Sequence, residues 1–524
     1  MTLLVFFIYT FSLFEPSSAF IYQPGKVGHW EPRKVWCAVH EKFRYSEEIF
    51  RVLDRGFKPE GELSKRLLPP TKYSIYRIES QYLGIWAYTF AVGGPFSTKE
   101  LEKDMRKHLS SKNRDYPFMG CFFTKSKGAT DIFDKATYYT DSKTKEKRSM
   151  PSPPAQFREN PVRKRFTPTD PDEPIVARKA SEGVPELSAP KEFYKDWRAA
   201  KGLYTTYFDY AESGSGVVVY VLDSGCDPRH RELRSIKYES YMVTGGFPAE
   251  EWTDPAFNVH GSKMIAKVAG PRTGVAPDAK VAVVGLSDGE ALMALPNVFD
   301  AILKTYDDIN EYNNKVPCVI NMSNGIDALF TKRRSGDKST EEARSVETTI
   351  TKQLLERLSS LDNVVLVASA GNSQPNTRVN KHPAKLAIES PESKIVVAGS
   401  ATSDGLNQYQ YSSSINNMVW APGEKVGMLG DPLSHPWEKY PDTIVVENGG
   451  TSIVSGMLAT FISLVTANSD GTPIENPAER VESAIAYLKN FSWKRNPKGV
   501  KIIHNGITPS QWPESFRKRY FVSR

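Results

Sequence analysis

The sequence predicts an α/β fold, a doubly wound and mostly parallel sheet preceded by a small α+β domain. Three observations carry this. Apolar runs without alternation recur from about residue 191: "GVVVYVLD", "AKVAVVGL", "PCVINMS", "NVVLVASAGN" and "SKIVVAGSA". Helical stretches separate several of them, and continuous apolar runs suit parallel strands covered on both faces. Upstream, a shorter region mixes strand-like and helix-like segments, and a Lys-, Glu-, Ser- and Pro-rich stretch divides the two.

In chain order, "TLLVFFIYTFSLF" followed by Ser17-Ser18-Ala19 reads as a secretory signal peptide over 1–19, too short to span a bilayer. Residues 20–135 read as a globular unit. There "SIYRIESQYLGIWAYTFAV" is strand material, Ser97 and Glu100 suggest a capping box opening a helix over about 98–109, and "YPFMGCFFT" is another strand. Residues 136–190, with "MPSPPAQ" and "TPTDPDEP", read as a linker unable to bury enough apolar surface to order itself. Residues 191–505 form the main domain and 506–524 a C-terminal tail. The run 451–467 is near the lower length for a membrane span, but it carries Thr451, Ser452, Ser455, Gly456, Thr460 and Ser463 and reads as a buried helix.

The chain of 524 residues suits two or three domains, and 40% apolar content supports a sizeable core. A net charge of +7 is modest, and the basic runs around Arg148 and Arg165 lack interleaved aromatics. They read as exposed linker with processing sites, not as a nucleic-acid surface. The four cysteines, Cys37, Cys121, Cys226 and Cys318, match no zinc module. In a secreted chain they allow three pairings, and pairing within each half is the simplest.

Chemistry in such sheets gathers at the carboxyl ends of the strands. Asp223 ends "VVVYVLD", Asn372 ends "NVVLVASAGN", His260 lies at a predicted helix start, and Ser452 opens the last apolar helix. Singly, each has an ordinary reading as a turn, loop or cap residue. Together they supply a nucleophile, a base, a carboxylate to orient the base, and an amide donor for an oxyanion, with a helix field at Ser452 that favours negative charge.

At this point the chain resembles the subtilisin-like serine proteases, or subtilases, over about residues 205–490. The residues are "YVLDSGCDPRHREL" with Asp223, "HGSKMIAKVAG" with His260, "GVAPDAKVAVV", "VINMSNG", "VASAGNS" with Asn372, "KHPAK", "WAPG" and "GGTSIVSG" with Ser452. The order Asp, His, Ser is that of subtilisin. The resemblance implies a substrate strand at Ser323, Asn324 and Gly325, and an opposite wall with Ala370 and Gly371 beside the oxyanion donor Asn372. It also implies a cis peptide before Pro383. Four positions depart from the family pattern: Ser262 in place of a threonine, which keeps the hydroxyl, Lys263 in place of a second histidine, Gly456 in place of a proline, and Asn324, which is expected to make one pocket wall more polar.

The resemblance implies a secreted endopeptidase acting on protein or peptide substrates and made as a zymogen, with 20–135 as a propeptide that serves as intramolecular inhibitor. No organic cofactor is implied. Calcium is an optional structural ion, since Glu232 aligns with a family calcium ligand, but a single such residue reads first as a surface glutamate. Residues 330–346, "FTKRRSGDKSTEEARSV", are expected to form a mobile loop beside the cleft. The alternative is a non-catalytic secreted binding protein on a degraded subtilase scaffold.

Overall fold

The computed structural model describes residues 33–46, 75–92, 98–110, 118–123, 175–191, 205–244, 259–286, 295–325, 338–372, 379–408, 415–430, 443–447, 449–465 and 473–521, with single positions at 51, 437, 439 and 442. The chain divides into two units, Met1–Arg77 with Ile85–Thr124, and Ile78–Gly84 with Lys125–Arg524. The proposed signal peptide and the basic sites at Arg148 and Arg165 lie outside the described residues.

The smaller sheet has four strands, β1 (Arg33–Val39), β2 (Ile75–Ser80), β3 (Gly84–Val92) and β4 (Phe118–Phe123), in the order β2-β3-β1-β4. Helix α1 (Thr98–Ser110) falls where the sequence predicts it, and its Glu102 Oε1 accepts the Cys121 N–H at 2.7 Å. Cys37 and Cys121 are register partners on antiparallel β1 and β4 and form a disulfide. The second expected pair does not form: Cys226 and Cys318 are buried free thiols. The strand register explains this. Cys318 opens β10 beside Val218 at the start of β7, whereas Cys226 lies beyond the far end of β7. The strand alone separates them by roughly 16 Å, far more than a disulfide bridges.

The larger unit begins with β5 (Ile175–Lys179) paired antiparallel to β6 (Thr206–Tyr210). Its main sheet contains β7 (Val218–Asp223), β8 (Lys237–Val243), β9 (Lys280–Gly285), β10 (Cys318–Met322), β11 (Val364–Ser369), β12 (Ile395–Ala401) and β13 (Met418–Pro422), with β14 (Val426–Leu429) and β15 (Ile444–Glu447) as a separate antiparallel pair and β16 (Trp493–Lys494) and β17 (Lys501–Ile502) at one edge. The order is β8-β9-β7-β10-β11-β12-β13-β17-β16. Every pairing in it is parallel except β16 with β17. The Val-rich strands β7, β9, β10 and β11 are buried along nearly all their length, as a sheet covered on both faces requires.

Helices α2 (Val259–Ala269), α5 (Thr451–Leu464) and α6 (Pro477–Asn490) pack in series, α2 and α6 each against α5. Helices α3 (Leu295–Tyr312) and α4 (Lys338–Ser359) pack on each other, and α7 (Glu514–Phe521) closes the chain. All 14 residues of α5 are buried, so this apolar helix is a core element. Among the described residues no helix is long and apolar enough to cross a membrane.

Three expectations are corrected. The linker does not run to 190, because β5 and the buried helical turn Pro185–Ser188 are folded parts of the larger unit; Glu186 there accepts from Arg495 at 2.9 Å. The tail after 505 is not loose. Ile507 and Trp512 are buried, and Trp512 stacks on Phe208 with ring centroids 4.2 Å apart. Residues 338–346 of the expected loop are the first turns of α4, while 326–337 lie outside the described residues.

Candidate active site

The sheet reverses its winding at β7. The chain adds β8 and β9 on one side of it and then β10 to β13 on the other. A crevice at the carboxyl ends follows from such a switch point, and Asp223 is the last residue of β7.

His260 is the second residue of α2, and the start of that helix is fastened to the loop after β7 by reciprocal bonds. Gly261 N–H donates to Ser224 Oγ at 2.9 Å, and Asp227 N–H donates to Ser262 Oγ at 2.9 Å. The fit is tight, since a Cβ on Gly261 would stand 2.2 Å from Gly225 O. This approach sets His260 Nδ1 2.8 Å from Asp223 Oδ1. The carboxylate is 1% exposed and also accepts the Ser224 N–H at 2.7 Å, whereas the imidazole side chain keeps 32% exposure. A buried carboxylate on Nδ1 fixes the ring so that Nε2 is the nitrogen offered for proton transfer. Ser262 keeps the hydroxyl expected of the family pattern and uses it in this junction.

Ser452 lies in the first turn of α5, after Gly450 at the N-cap. It is 1% exposed, and its hydroxyl donates to Met264 Sδ at 3.2 Å, with Asn321 Oδ1 3.5 Å away. Among the described residues no hydrogen bond joins Ser452 to His260. Met264 follows His260 by four residues, one turn along the same face of α2. The nucleophile candidate therefore faces the helix that bears the base, but its hydroxyl rests one turn away. Asn321 also accepts from Ser455 Oγ at 2.8 Å and donates through Nδ2 to Ser323 Oγ at 2.9 Å. This buried hydroxyl–amide cluster was not anticipated from the sequence, because Asn321 lies inside an apolar strand run.

Ser323, Asn324 and Gly325 extend β10, and Ala370, Gly371 and Asn372 extend its parallel neighbour β11. Asn372 is exposed, after Gly371 at φ 93°. Asn324 does not add polarity to a pocket wall. Its side chain is fully buried and donates through Nδ2 to Leu222 O at 2.9 Å, tying β10 to the strand that ends in Asp223. The His382–Pro383 peptide is cis.

The residues around Glu232 do not fit a calcium site. Glu232 Oε1 accepts Arg272 Nε at 2.7 Å, and Oε2 accepts the Arg272 N–H, Thr273 N–H and Thr273 Oγ, each at 2.9 Å. A calcium ion takes six to eight oxygens, and here protein donors already claim the carboxylate. Burial pushes the Glu232 carboxyl up, but these Arg272 and Thr273 bonds outweigh it and hold it below the usual glutamate range. Among the described residues no cluster of three or more His, Cys, Asp or Glu is placed to hold a metal.

Gly456, where the family pattern has a proline, has a packing reason. A Cβ there would stand 2.8 Å from Val275 Cβ and 3.3 Å from Val268 O. The absent side chain lets α5 approach the end of α2 and the loop behind it.

The family model for Peptidase_S8, the subtilase family, matches residues 214–490, more than half of the chain. A cuticle-degrading serine protease of Arthrobotrys oligospora is 36% identical over 81 residues, 16% of this chain and 20% of that protein. Subtilisin-like protease 2 of Trichophyton equinum is 27% identical over 315 residues, 58% of this chain and 63% of that protein. The chain thus spans less than two thirds of the length of these curated relatives. The crystal structure of a cold adapted subtilisin-like serine proteinase aligns with a TM-score of 0.41 at 18% identity, over 63% of this chain and 99% of that one.

Proposed function

Because the chain belongs to the subtilase family, we propose that it is a secreted serine endopeptidase, made as a zymogen, with Ser452 as nucleophile, His260 as base, Asp223 as its orienting carboxylate and Asn372 as oxyanion donor. The observation that carries this reading is the 2.8 Å bond between His260 Nδ1 and Asp223 Oδ1 at the switch point of the sheet, with Ser452 on the facing helix.

Peptide substrate would lie extended along Ser323–Gly325, as an added strand. Rotation about the Ser452 χ1 angle, between staggered wells, would swing Oγ from Met264 towards His260. Oγ then bonds to the scissile carbonyl carbon while its proton passes to His260 Nε2. The carbonyl oxygen becomes an oxyanion, met by Asn372 and by the amides that open α5. As the C–N bond breaks, His260 returns the proton to the leaving amine. Water, deprotonated by the same imidazole, releases the acyl group and regenerates Ser452. Asp223 stays ionised and stabilises the imidazolium.

The smaller upstream unit suits a propeptide that plugs the cleft until it is removed. The folding of residues 175–190 into the larger unit supports a maturation cut before 175, where Arg148 and Arg165 offer basic sites. N-terminal sequencing of the secreted protein tests this. A Ser452→Ala precursor that accumulates uncut assigns the cut to the enzyme itself.

Labelling with a fluorophosphonate probe tests the site. The matured protein is expected to label rapidly at Ser452, and Ser452→Ala to lose both labelling and peptide hydrolysis with the fold intact. A matured protein that neither labels nor cleaves peptides would favour the non-catalytic scaffold.

A further inference from the structure

Two strands part at the crevice. The pairing of β7 with β10 runs from Val218 beside Cys318 to Val221 beside Asn321 and stops there. Strand β10 stays on β11 for one residue more, Met322 beside Ala368. On its other flank β7 remains paired with β9 to its last residue, Asp223 beside Gly285. The end of β7 that carries Asp223 is therefore laddered on one flank only, and a side chain holds the other. Asn324, fully buried, donates through Nδ2 to Leu222 O at 2.9 Å.

That bond falls where it can steer the carboxylate. Leu222 O belongs to the peptide plane entering Asp223. The plane leaving Asp223 is tied by its own carbonyl, which accepts the Leu286 N–H at 2.8 Å. With both planes held, the two soft dihedrals of Asp223 are set, and so is the direction of its Cβ. That direction brings Oδ1 to 2.8 Å from His260 Nδ1. The amide is also costly where it stands. Among the described residues its Oδ1 meets no donor, and a buried acceptor left so weighs against folding. Leucine, the residue of the family pattern, carries no such cost. A side chain that breaks a local rule beside a reacting group is the kind of breach expected at functional positions.

We propose that Asn324 is a positioning residue for the Asp223–His260 pair, acting through the Leu222 carbonyl, and not a wall of the substrate pocket. It replaces the support that β10 withdraws when it leaves β7 to open the crevice. This inference rests on the endopeptidase reading above.

The test compares the matured parent with Asn324→Leu, which keeps the bulk and removes the donor, and with a control, Asn363→Leu. Asn363 is a second buried amide, placed just before the amino end of β11, and it donates through Nδ2 to Asn313 O at 2.9 Å and Val316 O at 2.6 Å. Each variant loses a buried bond, so both are expected to melt a few degrees lower. Folded enzyme is counted in each by fluorophosphonate titration, and hydrolysis of a peptide anilide is followed well below the melting range. Asn324→Leu is expected to lower kcat about tenfold with KM within about twofold. It should also weaken the far-downfield proton resonance of the imidazole N–H bonded to Asp223. Asn363→Leu should keep kcat, KM and that resonance at parental values. Should Asn324→Leu fail to fold, Asn324→Ala removes the donor without adding bulk, and the same comparison is made with it. A parental kcat and resonance without the donor, a loss carried by KM alone, or an equal fall in Asn363→Leu overturns the inference and leaves the endopeptidase reading standing. A parent that neither labels with fluorophosphonate nor cleaves any peptide overturns both.

Discussion

The hydroxyl of Ser452 rests on the sulfur of Met264, 3.2 Å away, and Met264 stands one helical turn beyond His260. A resting hydrogen bond to a thioether is weak, so turning the hydroxyl to the imidazole has little to break. Met264→Leu removes the acceptor at small packing cost. It is expected to leave the melting temperature within a few degrees and fluorophosphonate labelling as fast as, or up to about fivefold faster than, the parent, since a lost hydrogen bond is worth roughly 1 kcal/mol. Slower labelling at unchanged stability would show that the sulfur helps to present the hydroxyl.

Asn372 is exposed at the end of β11, so its replacement spares the core. If Asn372 is the oxyanion donor proposed above, Asn372→Ala is expected to lower kcat by about 3 kcal/mol of transition-state stabilisation, the loss on removing the oxyanion-hole asparagine of subtilisin. KM and melting temperature should change little. Steady-state kinetics on one peptide substrate checks this, and a fall confined to KM would remove Asn372 from the oxyanion role.

Gly456→Ala separates two opposed effects. Alanine gains about 1 kcal/mol of helix propensity over glycine, but its Cβ would stand 2.8 Å from Val275 Cβ. Overpacking of this kind costs about 1–3 kcal/mol, so net destabilisation is expected, and Val275→Ala in the same chain should recover part of it. A stabilised single variant would mean that the α5 contact relaxes freely.

Glu232 is 1% exposed and Arg272 44% exposed in their ion pair. Arg272→Met leaves the carboxylate with the backbone N–H of residue 272 and its Thr273 bonds but without the guanidinium. The expected cost is about 2 kcal/mol, below the range for a wholly buried pair because water reaches the guanidinium. The folded pKa of Glu232 is lowered, so its stabilisation is present above the unfolded value of about 4.3 and is lost as pH falls through the folded one. Thermal melts of parent and variant should therefore differ most near neutral pH and converge in acid, and EDTA should leave the parent melt unmoved.

Lys267 gives a slope of its own. Burial pushes its ammonium down to about 7, with Glu232 pulling partly back, against about 10.4 in the unfolded chain. Between these values the unfolded chain holds a proton that the folded chain has released, so stability rises with pH from about 7 to 10. Lys267→Met should raise the melting temperature at pH 6, and its advantage should shrink by pH 9. A constant difference across that range would mean that the lysine stays charged in the fold.

Much of this was legible beforehand. Uninterrupted valine-rich runs announced parallel strands buried on both faces, and Asp223 ends β7 as its run implied. What escaped depended on partners distant in sequence. β5 reads as linker because an edge strand needs little apolar surface, and only β6 supplies its hydrogen bonds. Glu232 reads as a surface glutamate, or at most as one calcium ligand, until Arg272, forty residues on, is seen across it. The glycine at 456 has no local logic at all, because its cause is Val275 on another segment. Asn324 was misread for a similar reason, as its acceptor is Leu222 on the adjoining strand.

The seam between the two ends of the larger unit has a dynamic consequence. Asn505 N–H donates to Leu187 O at 2.8 Å, Asn505 Nδ2 donates to Phe208 O at 2.7 Å, and Tyr210 O–H donates to Asn505 O at 2.9 Å. Each terminal stretch is thus the other's hydrogen-bonding partner, and neither can peel away while the other stays. In hydrogen exchange, residues 185–190, 206–210 and 503–512 should open as one cooperative block. Clipping the chain after His504 would therefore loosen its beginning as surely as its end.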